Sequence, residues 1–90
     1  MSDEARAGLR SSLEKVHDWP SVYMFKAIFE PAQERLDAVL ALFAPESEIL
    51  RKYSAGGKYV SITVKEVMLS ADDVIERYDR ATAIKGVIML

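Results

Sequence analysis

Between Ser21 and Leu90 the hydrophobic residues change their spacing in a fixed order, and that order restricts the fold more than any other feature of the sequence. Ser21 to Glu30 alternates, with Tyr23, Phe25, Ala27 and Phe29 on one face and Met24, Lys26 and Ile28 on the other, which predicts a strand. After Pro31, suited to a first helical turn, Leu36, Val39, Leu40 and Phe43 form a helical stripe through Ala44, and Pro45 stops it. Ser47 to Ala55 alternates more weakly, and Ala55-Gly56-Gly57-Lys58 signals a turn. Lys58 to Leu69 is the clearest strand, with Val60, Ile62 and Val64 against Ser61, Thr63 and Lys65. Ser70 then caps a helix whose first turn carries Asp72 and Asp73 and whose buried stripe is Val74, Ile75, Tyr78 and Ala81. Asp73–Arg77 and Glu76–Arg80 have the spacing of i,i+4 ion pairs on this helix. Gly86 precedes a short strand, Val87 to Leu90. The order is β-α-β-β-α-β, which predicts an α+β sandwich: a four-stranded antiparallel sheet with two helices on one face. Right-handed crossovers put the first and third strands, the two strongest, at the centre.

Ahead of this unit, residues 1–18 read as an amphipathic helical extension, with Leu9, Leu13 and Val16 on one face, ended by Asp18-Trp19-Pro20. Residues 19–90 form the domain proper. Ninety residues suit one core, and a composition 50% hydrophobic and 29% charged is that of a globular chain. Cysteine is absent, which excludes disulfides, thiolate metal sites and cysteine nucleophiles and suits a reducing cytoplasm. Acidic Met1-Ser2-Asp3-Glu4 does not resemble a secretion signal. The longest apolar run, Ala38 to Ala44, falls far short of the roughly 20 residues that span a bilayer, so no membrane partner is expected.

The chemistry that the residues could carry is mostly rejected by their spacing. Gly56-Gly57-Lys58 invites a phosphate-loop reading, but that pattern puts glycine where Lys52 stands and a hydroxyl residue where Tyr59 stands. The loop also joins two strands, so a hairpin is the better account. His17 is the single histidine, near the end of the first helix, where interaction with the terminal carbonyls gives it a structural role. No Gly-x-Ser-x-Gly elbow occurs, and Asp72-Asp73 are accounted for by helix capping. No catalytic residue, metal site or cofactor is expected, and the chain reads as a non-enzyme. Nucleic acid is also not expected. The formal charge is −2, and Tyr23, Phe25 and Phe29 alternate toward the helices instead of onto the face where bases would stack.

That helix-free face is the candidate interaction surface. It is expected to carry Met24, Lys26, Ile28, Ser61, Thr63, Lys65, Val87 and Met89, apolar positions around a polar centre of lysines and hydroxyls. Either the N-terminal helix folds over it through Leu9, Leu13 and Val16, or a protein partner or second copy docks there; the sheet edges offer a further contact.

Trp19-Pro20-Ser21 leading into Tyr23-x-Phe25-Lys26 resembles the entry of the YbeD-like bacterial proteins. So do Ser54-x-Gly56-x-x-Tyr59-x-Ser61-Ile62, the Ile75-Glu76 to Tyr78 segment and the terminal Met89-Leu90, so the resemblance covers Trp19 to Leu90. It implies a ferredoxin-like plait similar to ACT regulatory domains and an uncharacterised biochemical role, with no catalytic residues to carry over. The function expected is that of a regulatory or protein-interaction module, acting through a partner or as a homo-oligomer. The alternative is an ACT-like sensor of an amino acid or related metabolite, seated near Glu30–Pro31 or the Lys26/Lys65 centre. Phe29 departs from the glycine that relatives tend to have at that position, which puts a ligand site at the junction in doubt.

Overall fold

The computed structural model describes residues 2–90 and contains every element that the periodicity predicts. In chain order these are α1 (Asp3–Val16), β1 (Ser21–Phe29), α2 (Gln33–Leu40), β2 (Glu48–Tyr53), β3 (Val60–Met68), α3 (Ala71–Thr82) and β4 (Ile88–Met89). The strands form one antiparallel sheet in the order β2-β3-β1-β4, so β1 and β3 are central as expected. This is a ferredoxin-like α+β arrangement with an additional N-terminal helix.

Alternation along the central strands decides which residues are buried. β1 and β3 pair from Ser21 opposite Met68 to Phe29 opposite Val60, which sets Phe25 against Val64 and Ala27 against Ile62 on the same face. These residues meet Val39 of α2 and Val74 and Ile75 of α3, all essentially without exposure. Burial of side chains of this size stabilises by about 1.5–3 kcal/mol each. Phe25 also lies edge-on to Tyr23, 4.8 Å between ring centroids, and contacts Phe43 and Tyr78.

The helix ends follow their capping chemistry. The Ser2 hydroxyl accepts from the Ala5 N–H at the start of α1, and that of Ser70 accepts from the Asp73 N–H at the start of α3. Asp73 in turn accepts from the Leu69 N–H, so it faces the cap and not Arg77. α2 is shorter than expected. It starts after Pro31 with Ala32 as its cap, and beyond Leu40 the chain tightens into i→i+3 bonds, Leu42 to Val39 and Phe43 to Leu40. That tightening turns Leu42 and Phe43 inward, where both are buried. Between β2 and β3 a short 3-10 turn, Ala55–Gly57, takes positive φ at Gly56 and Gly57, the hairpin expected there.

α1 does not cover the open face of the sheet. It lies beside α3, with Leu13 buried in the core and Leu9 packed against it, while Val16 is 77% exposed. The cause is charge as well as apolar fit. Arg6 and Arg10 of α1 pair with Asp79 and Asp72 of α3, whereas the open face offers them mostly lysines.

Candidate functional site

Cross-strand register places the residues of the open face in rows. Lys52 of β2, Ser61 of β3, Ile28 of β1 and Ile88 of β4 form one row. Leu50, Thr63 and Lys26 form the next, closed by Leu90, whose N–H donates to the Lys26 carbonyl. Glu48, Lys65 and Met24 form a third, and Val67 opposite Val22 a fourth. Met24, Lys26, Ile28, Ser61, Thr63 and Lys65 are thus brought together as expected.

Val87 and Met89 are not part of this face, and this corrects the expectation. Met89 pairs with Ala27, a core residue, and both Val87 and Met89 pack against the core. The residues that face outward there are Ile88 and Leu90. Four successive apolar residues carry no alternation, so their pattern cannot choose a face, and a slip of one residue exchanges the two sets. The choice is made by the turn at Gly86, φ +84°, with the Val87 N–H bonded to the Ile84 carbonyl. Val22 and Val67 share the parity of Met24 and Lys65, so alternation signals both; Leu50, Lys52 and Glu48 become visible only once β2 is paired with β3.

The face combines exposed apolar groups with uncompensated charge. Val22, Met24, Leu50, Val67, Ile88 and Leu90 are each more than half exposed. Lys26 lies opposite Thr63 and Lys65 opposite Met24, which makes the two lysines diagonal neighbours at the centre of the sheet. Among the described residues no ion pair involves Lys26, Lys52 or Lys65. Three lysines against Glu48 give the face a net charge of +2; the whole chain carries −2, so the remainder carries −4.

The opposite side of β3 holds a polar cluster that periodicity does not reveal. Glu66 points toward the helices and accepts from Arg77 Nη2 at 2.8 Å, the Ala44 N–H at 2.8 Å and Ser47 Oγ at 2.7 Å. The Arg77 guanidinium rests over the rings of Phe43 and Phe25. Burial alone would push the Glu66 carboxyl up, but the hydrogen bonds from Arg77, Ala44 and Ser47, with the Arg77 charge, hold it down to about 2. Nearby, the Tyr23 and Tyr78 hydroxyls are 3.0 Å apart, and burial followed by this contact pushes the Tyr78 phenol up. Both arrangements tie β1 and β3 to α3 and the α2–β2 connection. His17 likewise packs beside Trp19 and Tyr23, its Nδ1 3.1 Å from Ser21 Oγ, in place of the expected side-chain contact with helix carbonyls.

At the end of β1, a groove is lined by Ile28, Phe29, Glu30, Arg35, Tyr59, Gly86 and Ile88. Arg35 donates to the Glu30 carbonyl at 2.9 Å and the Lys85 carbonyl at 3.0 Å, which commits its guanidinium to strapping the two loops together. No cluster of three or more His, Asp or Glu side chains suited to a metal ion occurs among the described residues, and none of their helices is long and apolar enough to cross a membrane.

A family described as a protein of unknown function, DUF493, matches residues 14–90. The chain belongs to the DUF493 family. This is the YbeD-like family that the Trp19–Leu90 motifs resemble, and the match begins within α1 and runs through β4. Among curated proteins and among solved structures nothing matches the chain. Membership carries an uncharacterised role and assigns no residue a function, so the chemistry of the surface has to supply the reading.

Proposed function

We propose that this DUF493 chain is a non-enzymatic interaction module that docks a protein on its open sheet face. The observation that carries the proposal is a patch of exposed apolar side chains running across all four strands, which no element among the described residues covers. Strands of nine, six, nine and two residues, at about 3.4 Å per residue and about 4.8 Å spacing, give a face of roughly 420 Å². Exposed apolar side chains gathered on a face of that scale often mark a binding surface. The groups whose protonation is shifted, Glu66, Tyr78 and Arg6, have structural partners that account for them, which supports a role without catalysis.

The test is an amide chemical-shift map of the isotope-labelled chain, first with the macromolecular fraction of a lysate from its source cells, then with the small-molecule filtrate. Docking predicts changes at Met24, Lys26, Ile28, Thr63 and Lys65 with the macromolecular fraction, abolished by Ile28→Asp with Ile88→Asp. An unperturbed face would sink the proposal. A second reading, an ACT-like metabolite sensor, is favoured by the groove beside Glu30. It predicts that the filtrate alone shifts Phe29, Glu30, Arg35 and Gly86.

A further inference from the structure

We infer that the occupant of the open face is an amphipathic helix of a partner protein with acidic residues at the middle of its apolar side. This rests on the docking reading and specifies its partner. Along β1 and β3 the face runs apolar, basic, apolar, with Glu48 of β2 opposite Lys65. Val22, Val67 and Met24 lie at one end, Ile28 and Ile88 at the other, and Lys26 and Lys65 sit diagonally between them.

A wholly apolar helix laid over this surface would bury the Lys26 ammonium without a partner and Lys65 with only Glu48 opposite it, which disfavours binding. A helix with one or two carboxylates at its middle converts the same two groups into charge-assisted hydrogen bonds in a desolvated setting. The Thr63 hydroxyl lies beside Lys26 and Lys65 as a further donor to that carboxylate.

Charge selects a helix over a second copy. β1 and β3, nine residues and about 30 Å long, offer a track for one helix about 10–12 Å wide and five turns long, flanked by the shorter β2 and β4. Face-to-face pairing of two copies would oppose two surfaces of net charge +2. A partner helix instead completes a third layer and mirrors α2 and α3 on the other side of the sheet.

The full chain is titrated with three helical peptides of about five turns. They share the same leucine stripe and differ only at its middle, which carries two Glu, two Lys or two Leu. The central-Glu peptide is expected to bind at least about tenfold more tightly than either other, with amide shifts on the open face of β1 and β3. Lys26→Glu with Lys65→Glu reverses the preference toward the central-Lys peptide. Both sites are exposed, and the amide spectrum of the variant reports its fold. Equal affinity for the three peptides overturns the inference while leaving the docking reading in place if they seat on this face. Self-association of the chain through the same amides, seen on dilution, overturns it in favour of a second copy. Should no peptide bind and lysate macromolecules leave the face unperturbed, the docking reading falls with it.

Discussion

Glu66 shows what a single residue can do against its position in a pattern. It occupies a core-facing place in β3, between Val64 and Met68, and is tolerated there because three groups converge on its carboxylate and offset its desolvation. Sequence spacing pairs Arg77 with Asp73, one helical turn away; the fold gives it Glu66, across the helix–sheet interface. A partner set by tertiary packing leaves no periodic signal, so this cluster could not be read from the chain. Glu66→Leu would strand the Arg77 charge, the Ala44 N–H and the Ser47 hydroxyl, and is expected to cost about 3 kcal/mol in urea unfolding. The depressed carboxyl also sets a pH dependence. Its contribution is complete above the ordinary value of 4.5 and is lost as pH falls toward about 2. The urea midpoint of the wild type should therefore decline over that window, and the decline should be shallower in Glu66→Gln.

At the scale of elements, the strands and helices were legible wherever two faces differ in polarity. β3 and α3 each have one apolar and one largely polar face, β1 gathers its aromatics on one face and Lys26 on the other, and all three form with the expected residues inward. β4 and α1 were not settled by that signal: β4 is apolar on both faces, and the stripe of α1 could have covered either side of the sheet. Turn geometry decides the first. At Gly86 φ is +84°, and an added Cβ would come 3.1 Å from the Arg35 guanidinium. Gly86→Ala is expected to destabilise by about 1–2 kcal/mol and to loosen the amides of Ile88 and Met89 in hydrogen exchange. Packing on α3 decides the second. Leu13→Ala should cost about 2–3 kcal/mol because Leu13 is buried in the core. Arg10→Ala should cost no more than about 1 kcal/mol, since its partner Asp72 is largely exposed. If the two substitutions cost the same in urea unfolding, charge holds α1 as much as its apolar face does.

The molecule as a whole is electrically divided, and under the proposed docking this division links stability to binding. One side of the sheet carries net +2 and everything else net −4, although the sequence shows only interspersed charges and a total of −2. Strand pairing is what sorts them. Lys26 and Lys65 lie within one cross-strand step of each other on the central strands, where like charges repel and no neighbouring acid compensates Lys26. Selection for a stable monomer alone would favour Thr or Val at these positions, which suit a strand better than lysine does. Lys26→Thr with Lys65→Thr is therefore expected to leave the chain as stable as before or to raise its stability by up to about 1 kcal/mol, measured by the urea midpoint at low salt. The same variant should lose its preference for an acidic helix. A fall in stability instead would mean that the lysine stems pack over the sheet and serve the fold, and the charged centre of the face would then need no partner to explain it.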